Sequence, residues 1–227
     1  MKLNIVTIDG PSASGKGSLS KNIAKHLDFN ILDSGLLYRV YAYLFSISGN
    51  HEEIKKLISE QITFISDQDG INVFKDNNNI THELRTEKTA KTASQISALD
   101  ITRKNLLNIQ RDFYSGKGLV ADGRDMGTVV FPDARLKIFL EASAEVRAKR
   151  RYLELQNRGQ EVNMPDLIAD IESRDFKDRT RTISPLIPAE DSIVIDSSEM
   201  SLEEVLSFTK KLTKKEFNKW QNHLQLY

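Results

Sequence analysis

Gly10-Pro11-Ser12-Ala13-Ser14-Gly15-Lys16-Gly17-Ser18 is the stretch whose reading decides the fold. It is entered from Leu3-Asn4-Ile5-Val6-Thr7-Ile8, an apolar, β-favouring run, and left through Leu19, Ile23 and Leu27, spaced four apart as on one face of a helix. Strand, glycine loop and helix in that order make the context of a phosphate-binding loop. Such a loop curls so that successive backbone N–H groups point inward, and the helix that follows adds its unpaired N–H groups and the positive end of its dipole. Lys16 then reaches the β- and γ-phosphates of a nucleotide. Gly17 stands directly after the lysine, where Ser or Thr is usual for Mg²⁺, and the hydroxyl comes one residue later, at Ser18. A glycine-rich turn that binds nothing is the competing reading, and the ordered lysine and hydroxyl weigh against it.

A chain of 227 residues accommodates one large core, or one core with a small insert. The 32 Lys and Arg residues balance 32 Asp and Glu, so no global field for nucleic acid is expected and any anion site must be built locally. With no cysteine there are no disulfides and no thiolate metal sites. No apolar run approaches the ~20 residues of a membrane span, and the N-terminus moves straight into the first strand without a signal-peptide core. A cytoplasmic protein is expected. His26, His51, His82 and His223 are scattered without metal spacing.

Beyond the first helix, Phe29 to Gly35 reads as a short strand ending in turn residues, and Leu36 to Phe45 as a helix with Ser34 as its N-cap. Arg39 lies near the start of that helix, either beside the phosphate loop or as an ordinary surface arginine. Residues 51 to 83 change character: a helix from Glu52 to Glu60, then β-favouring runs at Ile62–Ile65, Ile71–Phe74 and Ile80-Thr81. The clusters Asp67-Gln68-Asp69-Gly70 and Asp76 to Asn79 between them read as hairpin turns, so an inserted antiparallel subdomain is expected. Two helices, Thr86 to Ala98 and Ile101 to Tyr114 with Asp100 as N-cap between them, carry Ser94 and Arg103. Gly118 to Asp122 is a buried strand that ends in Gly123-Arg124-Asp125-Met126-Gly127-Thr128. In an open parallel sheet, ligands gather beyond the carboxyl ends of the strands, where this polar cluster falls.

Arg135 to Leu140 forms a further strand, Ala144 to Arg158 and Pro165 to Arg181 two charged helices around Gly159, Ser192 to Asp196 the last strand, and Leu202 to Trp220 the last helix. At about 100° per residue, Arg174, Lys177, Asp178 and Arg181 share one helical face, opposite Phe176. Three cations around one carboxylate invite an anion; the alternative is a solvated face laced with i,i+4 pairs such as Asp175 with Arg179. The basic final helix, with Lys210, Lys211, Lys214, Lys215 and Lys219, is read as solvated rather than as a nucleic-acid surface.

Together, Ile8 through Ser18, Leu32-Asp33-Ser34-Gly35-Leu36-Leu37-Tyr38-Arg39, Glu83 to Glu87, Ala121 to Pro132 and Arg174 to Arg181 resemble the bacterial cytidylate (CMP) kinases, from about Leu3 to Leu206. The resemblance implies an α/β fold, a P-loop kinase core in which helices flank a parallel sheet. To it are added a small antiparallel β insert in the monophosphate-binding part and a short helical lid. One kinase domain is expected, with its core at about 1–50, 118–143 and 190–227, the monophosphate-binding part at about 51–117 and the lid at about 144–189. The implied reaction moves the γ-phosphoryl group of ATP to CMP or dCMP in pyrimidine metabolism.

Carried over by position, Gly10, Pro11, Ser12, Ala13, Ser14, Gly15, Lys16, Gly17 and Ser18 bind ATP, with Lys16 on the transferring group. Ser34 and Asp125 hold the CMP ribose with Asp178, Arg39 and Arg124 hold its phosphate, and Ser94, Arg103 and Arg181 read the cytosine. Lys16, Arg124, Asp125 and Arg181 are the expected catalytic set. Lys177 stands where the family often has Arg and offers a point charge in place of a fork. Mg²⁺ is the expected ion, with Ser18, and more remotely Asp33 and Asp122, as partners. The partners implied are CMP, dCMP and ATP, with no nucleic acid, no membrane and a monomeric chain. A phosphate-loop kinase for UMP, shikimate or a cofactor precursor is the nearest rival, and a nucleotide-binding switch module the rival from another class.

Overall fold

The computed structural model describes residues 2–67, 70–157, 159 and 161–224. Gln68, Asp69 and Arg158, assigned above to a turn and a helix end, lie outside the described residues, as do the side chains of Lys219 and Trp220. In chain order the elements of the first half are β1 (Leu3–Asp9), α1 (Lys16–Leu27), β2 (Asn30–Asp33), α2 (Ser34–Ser48), α3 (His51–Gln61), β3 (Ile62–Asp67), β4 (Gly70–Lys75), β5 (Asn78–Asn79), α4 (Thr81–Leu84), α5 (Glu87–Ile96) and α6 (Asp100–Asp112). There follow β6 (Leu119–Gly123), a π-helical turn (Met126–Val130), β7 (Ala134–Glu141), α7 (Ala144–Asn157), α8 (Met164–Thr180), β8 (Ile193–Asp196) and α9 (Leu202–Leu224). Two compact units result, Met1–Asn30 with Gly116–Tyr227, and Ile31–Ser115.

Five strands form one sheet in the order β2-β6-β1-β7-β8, and the pairs β1–β6, β1–β7 and β7–β8 are parallel. The first strand runs in register with β6 from Ile5↔Leu119 to Asp9↔Gly123, and with β7 from Val6↔Leu136 to Asp9↔Phe139. Burial along β1 is continuous from Asn4 to Asp9 because a parallel strand is covered on both faces, which is why the run reads as unbroken apolar sequence rather than as an alternation. Leu19 and Ile23 of α1 are fully buried, as the spacing of apolar residues requires. Parallel strands bring their carboxyl ends to one edge, and the segments after β1, β6, β7 and β8 gather there. Among the described residues, no helix is long and apolar enough to cross a membrane.

The Ile31–Ser115 unit packs α2 to α6 with an antiparallel sheet of order β3-β4-β5. Its interior is a single apolar cluster in which Leu37, Val40, Tyr41, Leu44, Ile54, Val73, Leu84 and Leu106 are buried. Three expectations are corrected here. Asp33, not Ser34, caps α2: its Oδ1 accepts the Leu36 N–H at 2.9 Å, while Ser34 is already helical and its hydroxyl accepts from Gln110. Leu99 occupies the cap position of α6 without a side-chain bond, because Asp100 lies inside the helix and pairs with Lys104 one turn on. The third strand is Asn78–Asn79 rather than Ile80-Thr81. Asp76 and Asn77 both adopt positive φ and turn the hairpin in two residues, and the chain then leaves the ladder, with Thr81 Oγ1 accepting the Val73 N–H in place of a carbonyl.

Candidate active site

The glycine loop leaves β1 at Asp9 and enters α1 at Lys16. Gly10 is required where it stands: a Cβ there would lie 2.2 Å from the Leu140 carbonyl oxygen. Ala13 and Gly15 take left-handed conformations, and no side chain caps the N-terminus of α1, so its leading N–H groups face into the loop. Lys16 is buried, and its ammonium donates to the Pro11 carbonyl at 3.0 Å, holding the side chain across the loop. Ser14 is buried as well, with a hydroxyl that has no protein partner, whereas Ser18 is exposed on the first turn of the helix.

Two arginines of α7 grip this loop from its carbonyl side. Arg147 donates to the Ser12 carbonyl at 3.2 Å and to the Ala142 carbonyl at 2.8 Å, and Arg150 donates to the Ser14 carbonyl at 3.0 Å and to Ser197. Burial lowers the pKa of Arg150 from its ordinary value. Because the Arg147 side chain is only 5% exposed, its charge needs a fixed counter-ion, and Asp175 of α8 supplies it. That pairing takes the place of the Asp175–Arg179 pair named in the alternative reading; Arg179 binds Glu141 at 2.8 Å instead. Neither Arg147 nor Arg150 stood out in the sequence, since each meets the loop through backbone carbonyls and belongs to no contiguous motif.

The cations expected on one face of α8 converge in part. Asp178 accepts from Arg124 Nε at 3.0 Å through one oxygen and from Arg181 at 3.4 Å through the other. Arg181 ends the helix and also donates to the Ser184 carbonyl, while Lys177 is exposed. Burial works against the charge of Arg124, but Asp178, Asp122 and Asp175 more than restore it, so its pKa stands above the ordinary value. Asp125 is buried immediately before the π-helical turn, an element that the sequence pattern did not signal.

In the Ile31–Ser115 unit, Arg39 of α2 donates to the Leu84 carbonyl at 2.9 Å and the Thr86 carbonyl at 3.4 Å. Arg103 of α6 donates to the Ser97 carbonyl at 2.8 Å, and its guanidinium carbon lies 5.7 Å from the centroid of the Tyr38 ring. The Ser97 hydroxyl in turn donates to the Ser94 carbonyl at 2.8 Å, so Ser94 and Arg103 belong to one chain of contacts. The hydroxyl of Ser34 is buried against Gln110.

No group of three or more His, Cys, Asp or Glu side chains forms a metal cage among the described residues. Mg²⁺ does not need one, since it is normally held by one or two carboxylates together with phosphate oxygens and water. Asp122 fits that pattern. It is buried at the end of β6, and a Cβ added to Gly17 would lie 3.3 Å from its Oδ2, so the carboxylate stands against the first turn of α1. A Cβ directly after Lys16 would press on that carboxylate, and glycine leaves it room. Asp33 is less suited, its Oδ1 being engaged as the cap of α2.

A model of the cytidylate kinase family matches residues 6–215. Among curated relatives, the cytidylate kinase of Pectobacterium atrosepticum is 46% identical over 208 residues, covering 89% of this chain and 92% of that one. That of Haemophilus ducreyi is 46% identical, covering 89% and 93%, and that of Actinobacillus succinogenes is 43% identical over 215 residues, covering 89% and 95%. An uncharacterized protein from Eubacterium ventriosum, of known crystal structure, shares the fold with a TM-score of 0.50 at 13% identity, over 95% of this chain and 99% of that one.

Proposed function

The chain belongs to the cytidylate kinase family, and from that premise we propose that it transfers the γ-phosphoryl group of ATP to CMP or dCMP, giving CDP or dCDP and ADP. The observation that carries the reading is the convergence of Arg124 and Arg181 on the one carboxylate of Asp178, in the unit that also holds Lys16 and the glycine loop. Two guanidinium groups held side by side on one carboxylate present planar, forked donors of the kind that suit a phosphate.

The acceptor is a phosphate oxygen whose second ionisation lies near pH 6, so at neutral pH no general base is needed to make the nucleophile. The protein's work is to align two polyanions and to neutralise the charge that spreads over the transferring group. Backbone N–H groups from Ser12 to Ser18, at the loop and the start of α1, hold the phosphates of ATP, which makes the segment from Gly10 to Ser18 a P-loop, and Lys16 exchanges the Pro11 carbonyl for an oxygen of the transferring group. Arg39 and Arg124 hold the phosphate of CMP. Ser34 and Asp125 hold its ribose together with Asp178, while Ser94, Arg103 and Arg181 read the cytosine. Asp125 orients the acceptor rather than removing a proton from it. Lys177, exposed on α8, contributes at most a point charge.

Mg²⁺, when bound with ATP, would neutralise charge on the phosphates, and Ser18 on the first turn of α1, with Asp122 standing against that turn, would hold it. The chain works as one kinase domain: a core at about 1–50, 118–143 and 190–227, a monophosphate-binding part at about 51–117, and a lid at about 144–189 that keeps water from the γ-phosphate. It acts as a cytoplasmic monomer on small molecules, without nucleic acid or membrane.

The test is release of ADP from Mg·ATP with CMP, dCMP, UMP, AMP, GMP and shikimate offered in turn. Rapid turnover with CMP and dCMP and little with the purine nucleotides is expected. Turnover with a different acceptor alone would discard the roles given to Ser94 and Arg103, and ATP binding with no acceptor-dependent ADP would point to a binding module.

A further inference from the structure

We propose that Asp9 is a positioning residue whose carboxylate ties the start of the glycine loop to the turn following Arg124 and Asp125, and so fixes where those two side chains stand for phosphoryl transfer. The inference rests on the reaction proposed above, but the tie itself is a matter of geometry. Asp9 is the last residue of β1 and is 5% exposed. Its Oδ1 accepts the Met126 N–H at 2.8 Å and its Oδ2 the Gly127 N–H at 2.8 Å. These are the leading N–H groups of the π-helical turn, which have no acceptor within the turn itself. The register of β1 with β6 ends at Asp9↔Gly123, so past the last ladder pair this fork joins the two segments. One peptide bond separates Asp9 from Gly10, and one separates Met126 from Asp125.

The surroundings of the carboxylate give the tie an unusual property. Burial raises Asp9 to a pKa of about 7 against the pull of its two amide bonds; Asp125 adds to the rise and Arg124 opposes it. The other charged group beside the turn, Lys137 of β7, passes its stem near Gly127 but donates its ammonium to Asp191 at 2.7 Å, and Thr7 of β1 presents only a hydroxyl. Ionised Asp9 accepts both amides. Once protonated, one oxygen becomes a donor and the amide facing it keeps only a weaker acceptor. A carboxylate serving only as a structural fork, with the usual low pKa, would not change between pH 6 and 8.

The direct test follows the backbone ¹H–¹⁵N signals of Met126 and Gly127 in the full, ligand-free chain from pH 5.5 to 9. Both are expected to titrate together with a midpoint near 7, and in Asp9→Asn neither should. Kinetically, Asn keeps one acceptor of the fork, and displacing reacting groups by a fraction of an ångström to one ångström predicts a fall of roughly tenfold to a hundredfold in kcat with the KM for ATP nearly unchanged. The variant should also lose an acid limb near pH 7 while retaining the limb near pH 6 that belongs to the phosphate of CMP itself. Asp9→Glu, which restores the charge but displaces it, should keep an acid limb and recover part of kcat. Met126 and Gly127 amide signals that Asp9→Asn leaves unshifted at pH 8, or an Asp9→Asn enzyme with wild-type kcat, would overturn the proposal. The amide signals are read without turnover, so failure of the tie is distinguishable from failure of the assigned reaction.

Discussion

Both units bury neutral polar groups, but among the described residues only one of them also buries Asp, Lys and Arg side chains. In the sheet unit Asp9, Lys16, Asp122, Asp125, Lys137 and Arg147 are buried ionisable side chains, most of them near the carboxyl ends of β1 and β6. In the Ile31–Ser115 unit the buried polar side chains among the described residues are Ser34, Thr81, Thr102 and Gln110, all uncharged, around a continuous apolar cluster. A buried ion is costly unless it is paired and hydrogen-bonded, so a cluster of them survives only where each is fixed in place. That fixity is what handling a transferring phosphoryl group demands, because preorganised charge stabilises a transition state without reorganising. Neutral groups on an apolar base suit recognition of a nucleoside instead. The difference implies a division of labour: substitutions near the sheet end should act on kcat, and those in the other unit on the KM for CMP and on selectivity.

The sharpest way to break that division is Lys16→Met, which removes the buried cation of the loop at nearly constant volume. A fall of about 10³-fold or more in kcat is expected, with an unchanged circular dichroism spectrum. Arg181→Ala comes next. It strips Asp178 of one of its two arginines, and kcat for CMP should fall about 10²-fold; a rise in KM alone would erase the distinction between the units. Arg39→Ala belongs to the other side of the comparison. The KM for CMP should rise roughly tenfold to thirtyfold for one lost charge-assisted contact, while calorimetry finds ATP binding unaltered.

The smallest effect is on stability. The folded chain holds the proton of Asp9 up to about pH 7, whereas the unfolded chain releases it near the ordinary aspartate value of 3.8. Between those values the native state binds the extra proton, so the contribution of Asp9 to stability falls as pH rises through the window and is flat above it. Asp9→Asn does not titrate. Its melting temperature relative to wild type should therefore climb from about pH 4 to about pH 7 and then level off, as thermal melts in a pH series would record.

What the sequence disclosed and what it withheld divide along physical lines. The glycine loop was legible because its residues are contiguous and their order is itself the mechanism, and the strands because Ile5, Val6, Ile8, Val120, Ile138 and Leu140 form buried runs bounded by turns. Cap positions slipped by one residue: Asp33 takes the Leu36 amide while Ser34 turns to Gln110, and Asp100 lies inside α6 paired with Lys104, which leaves Leu99 at the cap. The π-helical turn was invisible, because five residues carry no periodicity and the group that organises it lies 117 residues earlier in the chain. Likewise i,i+4 spacing suggested Arg179 for Asp175, although the real partner, Arg147, is 28 residues away and is chosen by burial. Local patterns reveal elements and contiguous motifs, while ion pairs that cross between elements become readable only once the sheet has placed their ends together.

The most direct measurement follows ³¹P resonances of Mg·ATP and CMP after the wild-type chain is added. The account predicts that CDP and ADP grow together in equal amounts while the γ-phosphate signal of ATP declines, with inorganic phosphate staying near background. A γ-phosphate that appears as inorganic phosphate, or that is not consumed when CMP is present, would contradict it.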